Sequence, residues 1–103
     1  MADPMRIRAT ESNGVTEVKI LMRHEMESGQ RKDAAGKTIP AWHITSASIR
    51  LKDKEVMRAQ FGPSISKDPF LSLKFKGGAK GEKLVVNWVD TKGDARSDEA
   101  VIG

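Results

Sequence analysis

This 103-residue sequence predicts an all-β fold, an immunoglobulin-like antiparallel β-sandwich of about seven strands. Short runs alternate apolar and polar side chains, the signature of strands with one buried face. Turn-forming pairs recur about every ten residues. No stretch carries apolar residues at helical spacing over several turns.

In chain order, Met5, Ile7 and Ala9 alternate with Arg6 and Arg8 in a first strand. Asn13–Gly14 follows, a pair that tolerates positive φ and so marks a hairpin turn. Val18, Ile20 and Met22 share one face of the second strand, and Glu17, Lys19, Leu21 and Arg23 the other. From Glu25 to Pro40 the periodicity vanishes, leaving a long irregular connection of the kind that small domains use for function. Trp42 and Ile44 share a parity that Ala47, Ile49 and Leu51 reverse, so a bulge is expected near Thr45–Ser46. Asp53–Lys54 reads as a turn into Met57, Ala59 and Phe61, and Gly62-Pro63-Ser64 as another turn. After Pro69, Leu71, Leu73 and Phe75 alternate with Ser72, Lys74 and Lys76. Gly77, Gly78 and Gly81 then suggest a hairpin loop into Leu84, Val86 and Trp88. Val85 and Val89 make the second face of that strand apolar too, as in a central strand, and Trp88 is expected in the core. Thr91 to Asp94 turns the chain into a weak last strand over 95–102.

Composition bounds the chemistry. With 38% hydrophobic residues the chain can build one core, giving a single domain over 1–103. There is no cysteine, so no disulfide, thiol nucleophile or covalent thiol carrier exists. The N-terminal MADPMRIRAT lacks the apolar run of a signal peptide, and nothing approaches the ~18 apolar residues of a membrane helix. A net charge of +4 invites a nucleic-acid reading, but 14 acidic residues are interleaved with the basic ones. The densest cluster, Lys74, Lys76, Lys80 and Lys83, is offset by Glu82 and is small for a phosphate track. A basic β-domain binding nucleic acid there is the alternative function, and a small hydrolase a third.

No catalytic, cofactor or metal site emerges. His24 and His43 are the only histidines, and their spacing to Glu25, Glu27 and Asp33 matches no ligand pattern. Gly36-Lys37-Thr38 mimics the end of a phosphate loop, but Arg31 occupies the position of its first glycine and Ile39–Pro40 disfavours the helix that must follow. No serine sits in a nucleophile-elbow context. Trp42 precedes a polar strand and divides between core edge and interface anchor.

Three blocks carry a family resemblance: GPSISKDPFLSLKFKGG (Gly62–Gly78), VNWVDTKGDARSDEA (Val86–Ala100) and HEMESGQRKDAAGKTIPAWHI (His24–Ile44). In their order and spacing they resemble the SoxZ family, the small subunits of the SoxYZ carrier in bacterial thiosulfate oxidation. Glu25 stands where that family usually has proline. The resemblance implies an immunoglobulin-like sandwich without catalytic activity. It also implies a SoxY partner whose mobile arm carries sulfur on a cysteine, transient contact with other Sox enzymes, and periplasmic residence with export borrowed from that partner. The partner contact is expected at the irregular His24–His43 segment and the strand edge beside it, with Met22, His24, Met26, Arg31, Trp42, His43, Phe61, Ile65 and Phe70 as candidates. Met, aromatic and Arg side chains are the types enriched at interface centres.

Overall fold

A computed structural model describes residues 3–62 and 65–103. It contains seven strands: β1 (Arg6–Ser12), β2 (Val15–Leu21), β3 (Ile44–Leu51), β4 (Lys54–Gln60), β5 (Phe70–Lys76), β6 (Lys83–Asp90) and β7 (Ala95–Val101). They form a three-stranded sheet, β1-β2-β5, and a four-stranded sheet, β4-β3-β6-β7, antiparallel throughout. The chain changes sheet after β2, β4 and β5, which is a Greek-key sandwich of immunoglobulin-like connectivity. Among the described residues no helix is long and apolar enough to cross a membrane.

The alternation seen in the sequence becomes the core. Val18, Ile20 and Met22 line up against Ile44, Ala47 and Ile49 of the opposite sheet, with Leu84, Val86 and Trp88 from β6. Leu71, Leu73 and Phe75 pack on this cluster but stay half-buried, because β5 is an edge strand. The parity change in β3 is absorbed by a bulge at Thr45, where the register to β6 slips between Ile44 and Ser46. Asn13 and Gly14 make the first hairpin with φ of 54° and 80°.

Two expectations need correction. The turn expected at Asp53–Lys54 lies one residue earlier, at Lys52–Asp53, with φ of 52° and 64°. The register shift between Ile49 and Arg50 moves it, pairing Leu51 with Lys54. The loop between Phe75 and Leu84 does not close a hairpin, because β5 pairs with β2 whereas β6 pairs with β3 and β7. Residues 77–82 instead bridge the two layers, which in a sandwich lie about 10 Å apart. β6 is a central strand, as expected, lying between β3 and β7; Val89 on its outer face is nevertheless exposed, since a two-layer sandwich buries only one face of each sheet. The turn expected at Gly62-Pro63-Ser64 falls on 63 and 64, outside the described residues.

One lateral side of the sandwich is sewn shut. Gly103 N–H donates to the Ala9 carbonyl (2.9 Å) and Glu11 N–H to the Gly103 carbonyl (3.0 Å), tying the chain end beyond β7 to β1. The layer-bridging loop joins this seam through Gly81 N–H to the Ile102 carbonyl (2.8 Å). Gly78 sits there with φ of +79°, and an added Cβ would collide with Thr16 Oγ1 and crowd Ile102 Cδ1. Gly36 has a similar φ of +81° with open space around it. Gly36→Ala should therefore cost only the left-handed backbone penalty, about 1–2 kcal/mol. Gly78→Ala should cost at least about 1 kcal/mol more, for overpacking. Equal urea midpoints for the two variants would contradict this packing.

Candidate functional site

The end of the sandwich opposite the Asn13–Gly14 hairpin gathers the chemistry. Here β2 runs out into His24, the irregular connection returns through Trp42 and His43, and the β6–β7 turn spans residues 91–94. Asp90 ends β6 on the same inward parity as Leu84, Val86 and Trp88, so the fold delivers a carboxylate into the core. Its side chain is fully enclosed. Oδ2 accepts from His24 Nε2 (3.0 Å) and Trp42 Nε1 (2.7 Å). Oδ1 accepts from the backbone N–H of Lys92 and Asp94, both at 2.9 Å. A buried carboxylate is tolerable only when its lone pairs are met in this way. Burial alone would push the Asp90 carboxyl up; the hydrogen bonds from His24, Trp42, Asp94 and Lys92 outweigh it and hold the group below the ordinary value.

The same bonds fix His24. Its Nδ1 accepts the Met26 N–H at 3.0 Å, so that nitrogen carries no proton and Nε2 is the donor to Asp90. His24 also packs against Trp42, with ring centroids 4.8 Å apart and planes tilted by 59°, and meets Trp88 edge-on at 5.2 Å. The Lys92 ammonium lies over the Trp42 ring, 4.1 Å from its centroid. Trp88 is enclosed beneath, and its Nε1 has no hydrogen-bond partner among the described residues. An acid–histidine pair resembles part of a hydrolytic triad, but both ring nitrogens are committed within the chain. It cannot take a proton from a substrate without breaking the Met26 bond.

His24 also anchors the segment that leads into β5. Its N–H donates to Asp68 Oδ1 (3.0 Å) and its carbonyl accepts from Asp68 N–H (2.9 Å). Met22 N–H donates to the Pro69 carbonyl at 2.8 Å. Three hollows open around this segment and share Lys67. A cleft of about 700 Å³ is lined by Arg6, Arg23, His24, Trp42 and Trp88 among others. A second, of about 630 Å³, runs between Met26, Arg31 and Ile65, and a third, of about 600 Å³, between Phe61, Ile65 and Phe70.

The structure thus brings the irregular segment together with Phe61 and residues 65–70, remote in sequence, around two adjoining hollows that share Ile65. Ile65 and Phe70 are 40% and 62% exposed, so their apolar surface faces solvent. Arg31 is exposed and ion-paired with Glu27. Phe61 is half-buried against the core. Met22, His24 and Met26 are enclosed, so their side chains serve the interior rather than a surface. His43 is half-buried, with Nδ1 donating to the Ile44 carbonyl at 3.0 Å, and lines none of the three hollows. Trp42 is half-buried, and its N–H is spent on Asp90. Sequence reasoning missed Asp90. The available signal was an acidic residue on the core parity of a strand. Among the described residues no group of three or more His, Cys, Asp or Glu is placed to hold a metal ion.

Comparison with known proteins adds a family and a fold. The family model for Sulphur oxidation protein SoxZ matches residues 5–101. A search of curated proteins finds no match. Among solved structures, the chain is similar to a mutant superoxide reductase (neelaredoxin) from Archaeoglobus fulgidus, with 20% identity and a TM-score of 0.60 over 97% of this chain and 89% of that one. It is also similar to a superoxide reductase (neelaredoxin) from Ignicoccus hospitalis, at 11% identity and a TM-score of 0.59 over 99% and 82% of the two chains. Likeness at such identity speaks to the sandwich fold alone.

Two variants test the Asp90 cluster. Trp42→Phe keeps a ring against His24 and removes one donor to a buried carboxylate, so it should cost about 1.5–3 kcal/mol. Because the folded Asp90 value lies below the ordinary ~3.9, its stabilisation is complete above that value and drains as pH falls through the lower folded value. Urea midpoints of wild type and Asp90→Asn should therefore differ most at neutral pH and draw together as pH falls below the ordinary carboxylate value. A gap that stays constant with pH would show that the Asp90 charge does not contribute.

Proposed function

The chain belongs to the SoxZ family of sulphur oxidation proteins, and we propose that it is the non-catalytic half of a two-subunit sulfur carrier. Its partner is a SoxY-type subunit whose cysteine holds the sulfur adduct while other Sox enzymes act on it. The family match over nearly the whole chain carries this reading. The chemistry of the chain supports it, because a protein without cysteine cannot hold sulfur as a persulfide or thiosulfonate. A second thiol beside the partner's arm would also invite disulfide exchange. The role left to this chain is to bind, stabilise and present. We place the pair in the periplasm, with export provided by the partner.

The docking surface we assign is the groove around Ile65, bordered by Arg31, Phe61 and Phe70. Two features favour it. Exposed aliphatic and aromatic side chains beside an arginine suit the desolvated centre of an interface. The groove also lies along the β4 and β5 edges, which lack the chain-end seam that ties β1 to the end of β7. Free edges of this kind are surfaces that a sheet protein must cover or use. Trp42 borders the neighbouring cleft, and its indole N–H is occupied, so the anchoring role falls to Ile65, with Phe70 at the rim of the groove.

Ile65→Asp should lower the thermal midpoint of the isolated chain only slightly, since the residue is 40% exposed and lies outside the core cluster. It should weaken association with a cysteine-bearing SoxY-type subunit by about 2 kcal/mol, near thirtyfold, in a calorimetric titration. Unchanged affinity would move the interface off this groove. Failure of the unmodified chain to bind the subunit would overturn the carrier reading itself.

A further inference from the structure

Strand register assembles a surface that the sequence disperses. Across β1, β2 and β5 the outward rows run Arg6–Leu21–Phe70, Arg8–Lys19–Ser72, Thr10–Glu17–Lys74 and Ser12–Val15–Lys76. Five cations, Arg6, Arg8, Lys19, Lys74 and Lys76, therefore share one exposed face with a single carboxylate, Glu17. That excess of four equals the net charge of the entire chain, so the remaining surface is balanced overall. Glu17 is engaged by Lys74 at 3.8 Å. Among the described residues Arg6, Arg8, Lys19 and Lys76 have no ion-pair partner. The four lysines that the sequence groups do not stay together, since Lys83 lies on β6 beside Glu99.

Two details separate this face from an ordinary solvated one. Arg8 and Lys19 are direct cross-strand partners, a like-charge arrangement that weakens a sheet. The fold gains nothing from it. At one end, Leu21 and the 62%-exposed Phe70 form an apolar row, and a hollow of about 270 Å³ lies among them, Ile7, Arg6, Arg8 and Lys19. An apolar notch bordered by three cations fits an acidic protein surface that projects one aliphatic or aromatic side chain.

We propose that the outer face of β1-β2-β5 is a second docking surface, for an acidic protein partner that inserts an apolar side chain beside Phe70. The face is flat, roughly 10 Å across and 20 Å along by strand geometry. That size suits a brief, electrostatically steered encounter rather than a permanent interface. A nucleic acid would call for a groove that follows its backbone, whereas here the cations are spread over three strands with an apolar row at one end.

The test uses a fluorescent synthetic peptide of Asp and Glu with one central Phe, a version with Gly in place of that Phe, and oligothymidylate. Anisotropy titrations against the full chain at low and moderate salt should show binding of the Phe peptide that weakens as salt rises. Arg8→Glu and, separately, Lys19→Glu should each weaken it about fivefold or more at low salt. Neither should lower the thermal midpoint, because each converts a like-charge pair into an opposite-charge one. Phe70→Ser, or the Gly peptide, should weaken binding about tenfold. Affinity indifferent to all three substitutions would overturn the proposal. Tighter binding of oligothymidylate than of the Phe peptide would overturn it in favour of a nucleic-acid face. Neither result would bear on the pairing with a cysteine-bearing subunit, which is tested at Ile65 with a different probe; Phe70 borders both hollows, so Arg8 and Lys19 are the substitutions that report on this face alone.

Discussion

The architecture of one end of this sandwich depends on a single enclosed carboxylate. Asp90 cannot be buried as a charge unless donors converge on it, and those donors come from three separate parts of the chain: His24, Trp42 and the β6–β7 turn. Each donor is thereby placed. His24, once oriented, binds the Met26 N–H through its other nitrogen and holds Asp68 through its backbone. The long connection between β2 and β3 is thus pinned at both ends, although it has no regular structure between them beyond two isolated bridges.

That constraint has a functional consequence. Because Asp68 and Pro69 are tied to His24 and Met22, the approach to β5 that presents Phe70 is anchored to the same network. A pre-ordered surface loses less entropy on docking than a mobile one. The same network occupies both nitrogens of His24, so this acid–histidine pair is committed within the chain. The proposed carrier role, in which this chain binds and presents while the chemistry proceeds on a partner's cysteine, would call for a frame of this kind. The two proposed surfaces divide the work by physics: an apolar groove for lasting association and a basic face for encounter.

The sequence made most of the fold legible because alternation and turn residues are local signals. Even the bulge at Thr45 could be read, since an extra residue is what lets both Ile44 and Ala47 face the core. The non-hairpin between β5 and β6 could not be, because a loop of six residues can close a hairpin or cross a sandwich, and only tertiary pairing decides. In the site, the candidates Arg31, Phe61, Ile65 and Phe70 converge, whereas Met22, His24 and Met26 face inward. Met22 continues the inward parity of Val18 and Ile20, and that pattern argued for the interior. Asp90 escaped notice because it sits where the hydrophobic alternation gives way to a charge. The basic face was hidden because Arg8, Lys19 and Ser72 become neighbours only through register.

The most direct test of the Asp90 account is nitrogen-15 NMR of the two side chains that meet it. His24 should be the neutral tautomer with its proton on Nε2 and Nδ1 acting as acceptor, and the Trp42 indole N–H should exchange slowly with solvent. Both signals should move together in Asp90→Asn. A proton on Nδ1 of His24, or an indole N–H exchanging at the rate of a free side chain, would contradict the convergence on Asp90.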